Sequence, residues 1–238
     1  IISESLYQPG SLPLLQYTLA ELFEQREGST LTTKAYQSLG GVVGALAKRA
    51  DELYLEQTSQ GRDMVRQLFL RLVSPGVEAE TARRRVPRSE LLALFAEPDR
   101  MEDILDTVMA YRLITFDHDS YTRSPTVELA HEAILRQWSR LRVWLETHHD
   151  DLRQQRLLAT AAADWYHAGQ DASYLLRGTR LEQFTEWSVR SEVILTLKER
   201  SFLEASLDKQ TREAETERER YTHELALARQ AETAQRRA

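Results

Sequence analysis

Leu113-Ile114-Thr115-Phe116, then His118-Asp119-Ser120, then Thr126-Val127-Glu128-Leu129 is the stretch that decides the fold. The outer runs are β-prone, the last alternates with period two, and the polar triplet between them reads as a turn. Just upstream lie three helical patterns. Val65, Leu68, Phe69 and Leu72 line one face of a helix that stops at Ser74-Pro75-Gly76. Ser89 to Phe95 reads as a short second helix, and Pro98-Asp99 opens a third with Ile104, Leu105, Val108 and Tyr111 facing inward. A polar loop with Arg83-Arg84-Arg85 leads from the first helix toward the second. Three helices followed by a hairpin is the order of a winged helix, a helix-turn-helix variant with a β wing.

Working outward, Gly10-Ser11-Leu12-Pro13 starts an earlier helix: Ser11 can cap it, and Pro13 in the first turn loses no hydrogen bond. Leu12, Leu15, Leu19 and Leu22 form its expected stripe, with Gly28 as the stop. Thr32 to Leu39 reads as a capped helix ended by Gly40-Gly41, and Val43, Leu46, Ala50 and Leu53 mark the next. Downstream, His131 is expected to begin a helix directly after the second strand, with Ile134, Leu135, Trp138, Leu141 and Leu145 inward. His148-His149-Asp150-Asp151 reads as a solvated break before a helix over residues 152–167, with Leu158, Ala161, Ala162 and Trp165 in its core. Trp144 is expected to seat a neighbouring helix or domain. Leu175-Leu176 to Trp187 form one or two short helices, after which Ile194, Leu197, Phe202 and Leu207 can pack. Between Asp208 and Arg220 the only clearly apolar side chain is Ala214, so that stretch reads as an exposed connector helix held by charge pairs. The heptad count is too low for a coiled coil.

The 238 residues suffice for more than one compact unit. No apolar run reaches the 18 residues of a membrane span, and the first residues lack a secretion signal's order, so the expected location is the cytoplasm. With no cysteine, disulfides, thiol catalysis and thiolate zinc sites are excluded. Thirty-one basic against 37 acidic residues do not favour a general polyanion binder. There is no Gly-rich phosphate loop ending in Lys-Ser/Thr, no HExxH and no GxSxG, so no catalytic centre is visible and the chain by itself is not expected to be an enzyme. Ile1–Tyr7 starts without an obvious boundary, which suggests a piece of a larger protein.

Three features can carry function. Arg83, Arg84, Arg85 and Arg88 can touch phosphate, which invites a DNA-binding reading of the winged helix. Against it, the third helix opens with Asp99, Glu102 and Asp103 and adds Asp106, carboxylates that repel a nucleic-acid backbone where a recognition helix would sit. His131 stands where a strand feeds a helix N-terminus, and its imidazole can donate to a phosphate oxygen while Glu132 caps the turn or holds an arginine. The alternative is a half-buried histidine that merely joins wing to helix. Pro13 presents a rigid ring that can lie against a planar base, or it merely starts a helix. His148, His149, Asp150 and Asp151 are consecutive, so their side chains diverge and do not read as a metal site.

Gly10-Ser11-Leu12-Pro13-Leu14-Leu15-Gln16-Tyr17, Leu31-Thr32 with Tyr36, Leu39-Gly40-Gly41-Val42-Val43-Gly44-Ala45-Leu46-Ala47, and Val127-Glu128-Leu129-Ala130-His131-Glu132-Ala133-Ile134-Leu135-Arg136-Gln137-Trp138 with Leu141 and Trp144-Leu145 occur in that order. Together they resemble the bacterial novel STAND NTPases, signal-transduction ATPases with numerous domains, of a type often fused to WD40 repeats. The likeness spans about residues 8 to 205.

The resemblance implies a mainly α architecture with a small β-hairpin: the end of a helical lid over residues 1–38, a winged-helix domain with its lead-in helix over 39–147, and a helical arm over 148–207, beyond which the composition alone gives the connector helix over 208–238. It implies that Pro13, with Gly10 keeping the turn, lies against the adenine or ribose of a nucleotide. It further implies that His131 contacts the ADP β-phosphate, with Glu132 at the acidic position and Ala130 replacing the methionine of the family's Met-His-Asp motif. The implied cofactors are ADP and ATP with Mg²⁺ in a full-length parent, with none held stably by these residues alone, since the Walker lysine and the metal-binding aspartate are missing here. The implied partners are the nucleotide-binding core and WD40-type sensor domains of the same parent chain, with self-association on activation, in bacterial signalling or conflict systems. The runner-up is a winged-helix DNA-binding transcription regulator with a helical dimerisation tail, and a third reading is a passive helical scaffold.

Overall fold

The computed structural model describes residues 11–76 and 81–237. The chain is mainly α-helical with two small sheets, and it divides between Arg153 and Gln154 into two compact units. Gly10 and the side chain of Pro13 lie outside the described residues.

The first unit begins with α1 (Ser11–Glu24), which packs on α3 (Gly41–Glu56). Its buried face runs through Thr18 and Leu22, while Leu19 and Phe23 are exposed, so the contact is turned from the expected leucine stripe. Gly28 does not end the helix. It sits four residues further on at φ +63°, in the tight turn where Glu27 and Thr30 exchange backbone hydrogen bonds of 3.0 and 3.1 Å. The Thr32 hydroxyl caps α2 (Thr33–Ser38) by accepting from the Ala35 N–H at 3.2 Å. Gly40 and Gly41 then take positive φ, and a Cβ on Gly40 would approach the Gly44 backbone to 3.2 Å, so the chain needs glycine to enter α3 here.

Helix α4 (Ser59–Arg71) is the centre of the unit, with Met64, Val65, Leu68, Phe69 and Leu70 all buried. Each such side chain removed from water contributes roughly 1.5–3 kcal/mol. The expected polar loop after it is instead a hairpin, β1 (Val73–Pro75) paired antiparallel with β2 (Thr81–Arg83). These strands carry Pro75, Thr81 and Arg83, which obscure the two-residue hydrophobic period. A third short strand, β3 (Val86–Pro87), leads into α5 (Arg88–Leu92), followed by α6 (Pro98–Ala110). Strands β4 (Ile114–His118) and β5 (Pro125–Leu129) form the wing, and the three-stranded sheet runs β3-β5-β4. Its register sets Val127 opposite Val86 and Ile114 opposite Leu129, four buried side chains that seal the sheet onto the helices. At the wing tip, the Asp119 carboxylate accepts from the Tyr121 and Thr122 N–H groups at 3.0 and 2.7 Å. Those backbone donors, Thr122 first, hold its pKa below the ordinary carboxylate value.

The single helix expected from His131 is two: α7 (Ala133–Gln137) and α8 (Ser139–Thr147), separated at Trp138, whose ψ of 98° leaves the helical region. Trp138 is 1% exposed, meets Phe69 edge-on at 4.8 Å, and donates from Nε1 to the Asp51 carboxylate at 2.7 Å. Trp144 is half-buried against Tyr54 of α3, with ring centroids 5.2 Å apart. Where a solvated break was expected, His148 is buried and α9 (His149–His167) starts at the next residue.

The second unit comprises the C-terminal part of α9, a short 3₁₀ turn at Ala172–Tyr174, α10 (Gly178–Arg190) and α11 (Leu197–Arg237). Its core joins Leu158, Trp165, Phe184, Trp187 and Phe202. Thr196 and Glu199 form a reciprocal capping box: the Glu199 carboxylate accepts from the Thr196 N–H at 2.7 Å, and the Thr196 hydroxyl accepts from the Glu199 N–H at 3.3 Å. Leu197, expected to pack, is 65% exposed in the first turn of that helix. From Gln210 to Ala231 every residue of α11 is exposed.

Candidate functional site

The junction after β5 is built by backbone pairing that continues past the strand. Ala130 N–H donates to the Leu113 carbonyl at 3.0 Å, and the Arg83 guanidinium donates to the Leu129 carbonyl at 3.1 Å. His131 then precedes α7 by two residues, and its carbonyl accepts from the Ile134 N–H at 3.2 Å. The five-residue α7 has no side-chain cap, so the histidine stands at a turn and not at the mouth of a long helix dipole.

The His131 side chain is half-buried and lines a cleft of about 270 Å³ with Gln16, Met109, Arg112, Ile114 and Ala130. Gln16 belongs to α1, one turn beyond Pro13, so the wing junction and the opening helix border one concavity. Glu132 points elsewhere. It lines a separate cleft of about 700 Å³ together with Arg83 and Arg142, and its carboxylate accepts from Arg136 at 2.9 Å. Neighbours in sequence therefore serve opposite sides of the junction, and Glu132 is not beside His131 in the smaller cleft.

Burial, and secondarily the positive charge of Arg83, keep the His131 pKa below the 6.5 ordinary for imidazole. The ring is thus neutral at pH 7, with one N–H donor. Because the fold holds fewer protons than the unfolded chain in this window, His131 contributes stability that is present above about pH 6.5 and lost as pH falls through its depressed value. Urea melts at pH 7.5 and 5.5 should show a larger acid-induced loss for the wild type than for His131→Gln. Equal losses would mean that the ring titrates as it does in solvent.

Residues 1–173, nearly three-quarters of the chain, match the family model described as Novel STAND NTPase 1. The chain belongs to that family. No curated protein and no solved structure matches it. The match to this STAND family ends before α10, short of the likeness read from sequence to about residue 205.

In this STAND chain the four arginines of the nucleic-acid reading are engaged internally. Arg84 forms a two-pronged pair with Glu90 at 2.9 and 3.2 Å, and Glu90 also meets the buried Arg71 at 3.5 Å. Arg85 pairs with Asp117 at 3.1 Å and Glu128 at 3.4 Å, Arg88 pairs with Glu102, and Arg83 holds the Leu129 carbonyl. Among the described residues no cluster of three or more His, Asp and Glu side chains converges to hold a metal ion, and no helix is long and apolar enough to cross a membrane.

Sequence reasoning missed Gln16 and Arg112. A weak signal for Arg112 existed: helix α6 ends at Ala110 with Tyr111 as its C-cap and no glycine behind it, although a helix stopping this sharply favours one.

Proposed function

We propose that this chain is the regulatory and coupling region of a STAND-type signalling ATPase. In the parent protein an ADP-bound nucleotide core would be closed against the opening helix and the winged-helix unit, with His131 donating to the β-phosphate and Pro13, with Gly10, near the base. Bound nucleotide supplies the phosphate charge whose exchange, ADP for Mg²⁺-ATP, distinguishes two states. The chain's own residues would hold the closed state through the neutral imidazole and the shape of the cleft, and would pass its release to sensor domains of the WD40 type or to an effector, with self-association once open. Glu132 would act one step away, by orienting Arg136. A cytoplasmic, bacterial setting follows from the family resemblance.

The observation that carries this reading is the shared border of the small cleft: His131 from the wing junction and Gln16 from the helix of Pro13. The test is ADP release from the parent protein with His131 replaced by alanine. Release at the wild-type rate would remove the histidine from the switch.

A DNA-binding regulator is the weaker reading, because its arginines are already paired and α6 is acidic on its leading turns. A labelled duplex titrated at 50 and 200 mM salt should show no more than weak binding. A steep loss of tight binding with salt, abolished by neutralising Arg83, Arg84 and Arg88, would favour the runner-up.

A further inference from the structure

Helix α6 closes with a Schellman turn. The Leu113 N–H reaches back to the Val108 carbonyl at 3.2 Å and the Arg112 N–H to the Met109 carbonyl at 2.8 Å. In that motif the residue at the Arg112 position must be left-handed, and Arg112 is, at φ 55°. Glycine takes this conformation without strain, whereas a side chain with a Cβ is disfavoured there. Arg123 and Gln170 are left-handed as well, and of the three Arg112 is the one that lines a cleft with His131.

Arg112, exposed to solvent, lines the same small cleft as His131 and Gln16. Among the described residues Arg112 has no carboxylate partner, in contrast to Arg84, Arg85 and Arg88, which are all paired. Among the described residues no Asp or Glu lines the cleft, while the larger neighbouring cleft has Glu132 and Glu146 on its wall. The lining therefore combines a permanent cation, a neutral imidazole and an amide, all able to donate hydrogen bonds. At about 270 Å³ the space falls below the roughly 300–1,000 Å³ typical of sites that enclose a whole small molecule, so it suits the phosphate end of a ligand.

We propose that Arg112 is a phosphate-binding residue, its guanidinium joining His131 and Gln16 in a cradle for a diphosphate group. This rests on the nucleotide-coupling reading and adds to it the residue that supplies the charge: a planar fork can take two oxygens of one phosphate, which the neutral histidine cannot.

The test is a titration of the isotopically labelled 238-residue chain with inorganic pyrophosphate at constant ionic strength, followed by NMR at the His131 ring and the Arg112 guanidinium. Both signals should shift together with one dissociation constant, a weak one, because these residues alone are not expected to hold a nucleotide stably. Arg112→Gln should weaken binding at least tenfold, and Arg112→Lys by a smaller factor because a point charge replaces the fork. Arg112→Gly should lose binding as well while melting no lower than the wild type, which separates ligand contact from a structural role. Pyrophosphate binding that perturbs His131 equally in wild type and Arg112→Gln would overturn the assignment of Arg112 and leave the histidine's role standing. No shift in the wild type would overturn the cradle itself, and the coupling role would still be decided independently by ADP release from the parent. A lower melting point for Arg112→Gly would show that the arginine holds the turn together and would also count against the proposal.

Discussion

Alanine at position 131, in a protein that carries the nucleotide core ahead of these residues, should speed ADP release by about ten- to a hundredfold and raise basal signalling. In the proposed coupling role the magnitude follows from the histidine–phosphate contact. A hydrogen bond to a charged group is worth about 1.5–3 kcal/mol, and each 1.4 kcal/mol is tenfold in an equilibrium. Because the imidazole is half-buried and neutral, its N–H is neither fully hydrated nor repelled by the neighbouring Arg83. Loss of that donor would remove a contact made in only one of the two states, which is what biases a two-state element. His131→Gln keeps an N–H donor and should fall between the two. Stopped-flow release of a fluorescent ADP analogue reads the effect directly, and a change below twofold in the alanine variant would remove this histidine from the closed state.

The largest stability effect is expected at Trp138. Trp138→Ala should cost about 3–5 kcal/mol, the range for emptying an aromatic site in a packed core. The side chain touches Phe69 at 4.8 Å and Trp144 at 5.3 Å, edge-on in both cases, so its removal opens the aromatic seam between α3, α4 and α8. It also strips a donor from Asp51. Burial alone would raise that carboxyl, but hydrogen bonds from Arg140 and Trp138 hold its pKa below the ordinary value. Trp138→Phe should keep most of the packing and lose mainly the hydrogen bond, at about 1 kcal/mol. Urea denaturation of the three proteins tests the ranking. A loss under about 1 kcal/mol for the alanine variant would mean that the seam collapses around the gap.

Much of the architecture was legible because the signals were redundant. Val65, Leu68, Phe69 and Leu72 have helical spacing and complete burial, although the helix ends at Arg71, ahead of the expected stop at Ser74-Pro75-Gly76, because Val73–Pro75 pairs as β1. The wing was equally readable from period two in Thr126-Val127-Glu128-Leu129, which pairs with Ile114–His118 as the pattern required. What escaped was set by tertiary contact. β1 and β2 are three residues each and have too few side chains to show a period, so the hairpin hides inside a polar loop. The break at Trp138 leaves no mark either, since Ile134, Leu135, Trp138 and Leu141 keep helical spacing across it. In the candidate site, His131 was legible from the strand-to-helix junction, but the separation of Glu132 from it was not. Both lie in a turn, where adjacent side chains diverge by an amount that only the backbone determines. The leucine stripe of α1 misled because Thr18 is buried there while Leu19 is not, and hydrophobicity alone ranks them the other way.

The long last helix has a mechanical consequence. Its 28 residues from Gln210 to Arg237 measure about 42 Å as an α-helical rod at 1.5 Å per residue, but only about 30 Å on average as a flexible coil. From Gln210 to Ala231 every side chain is exposed, so no burial fixes one form there, and the side-chain pairs near its base, Asp208 with Arg212 and Lys209 with Glu213, are surface pairs at 3.8 and 3.9 Å whose attraction fades with added electrolyte. The span of this helical segment is therefore set by its solvent as much as by its residues: stiff and extended in dilute buffer, shorter and more compliant in brine.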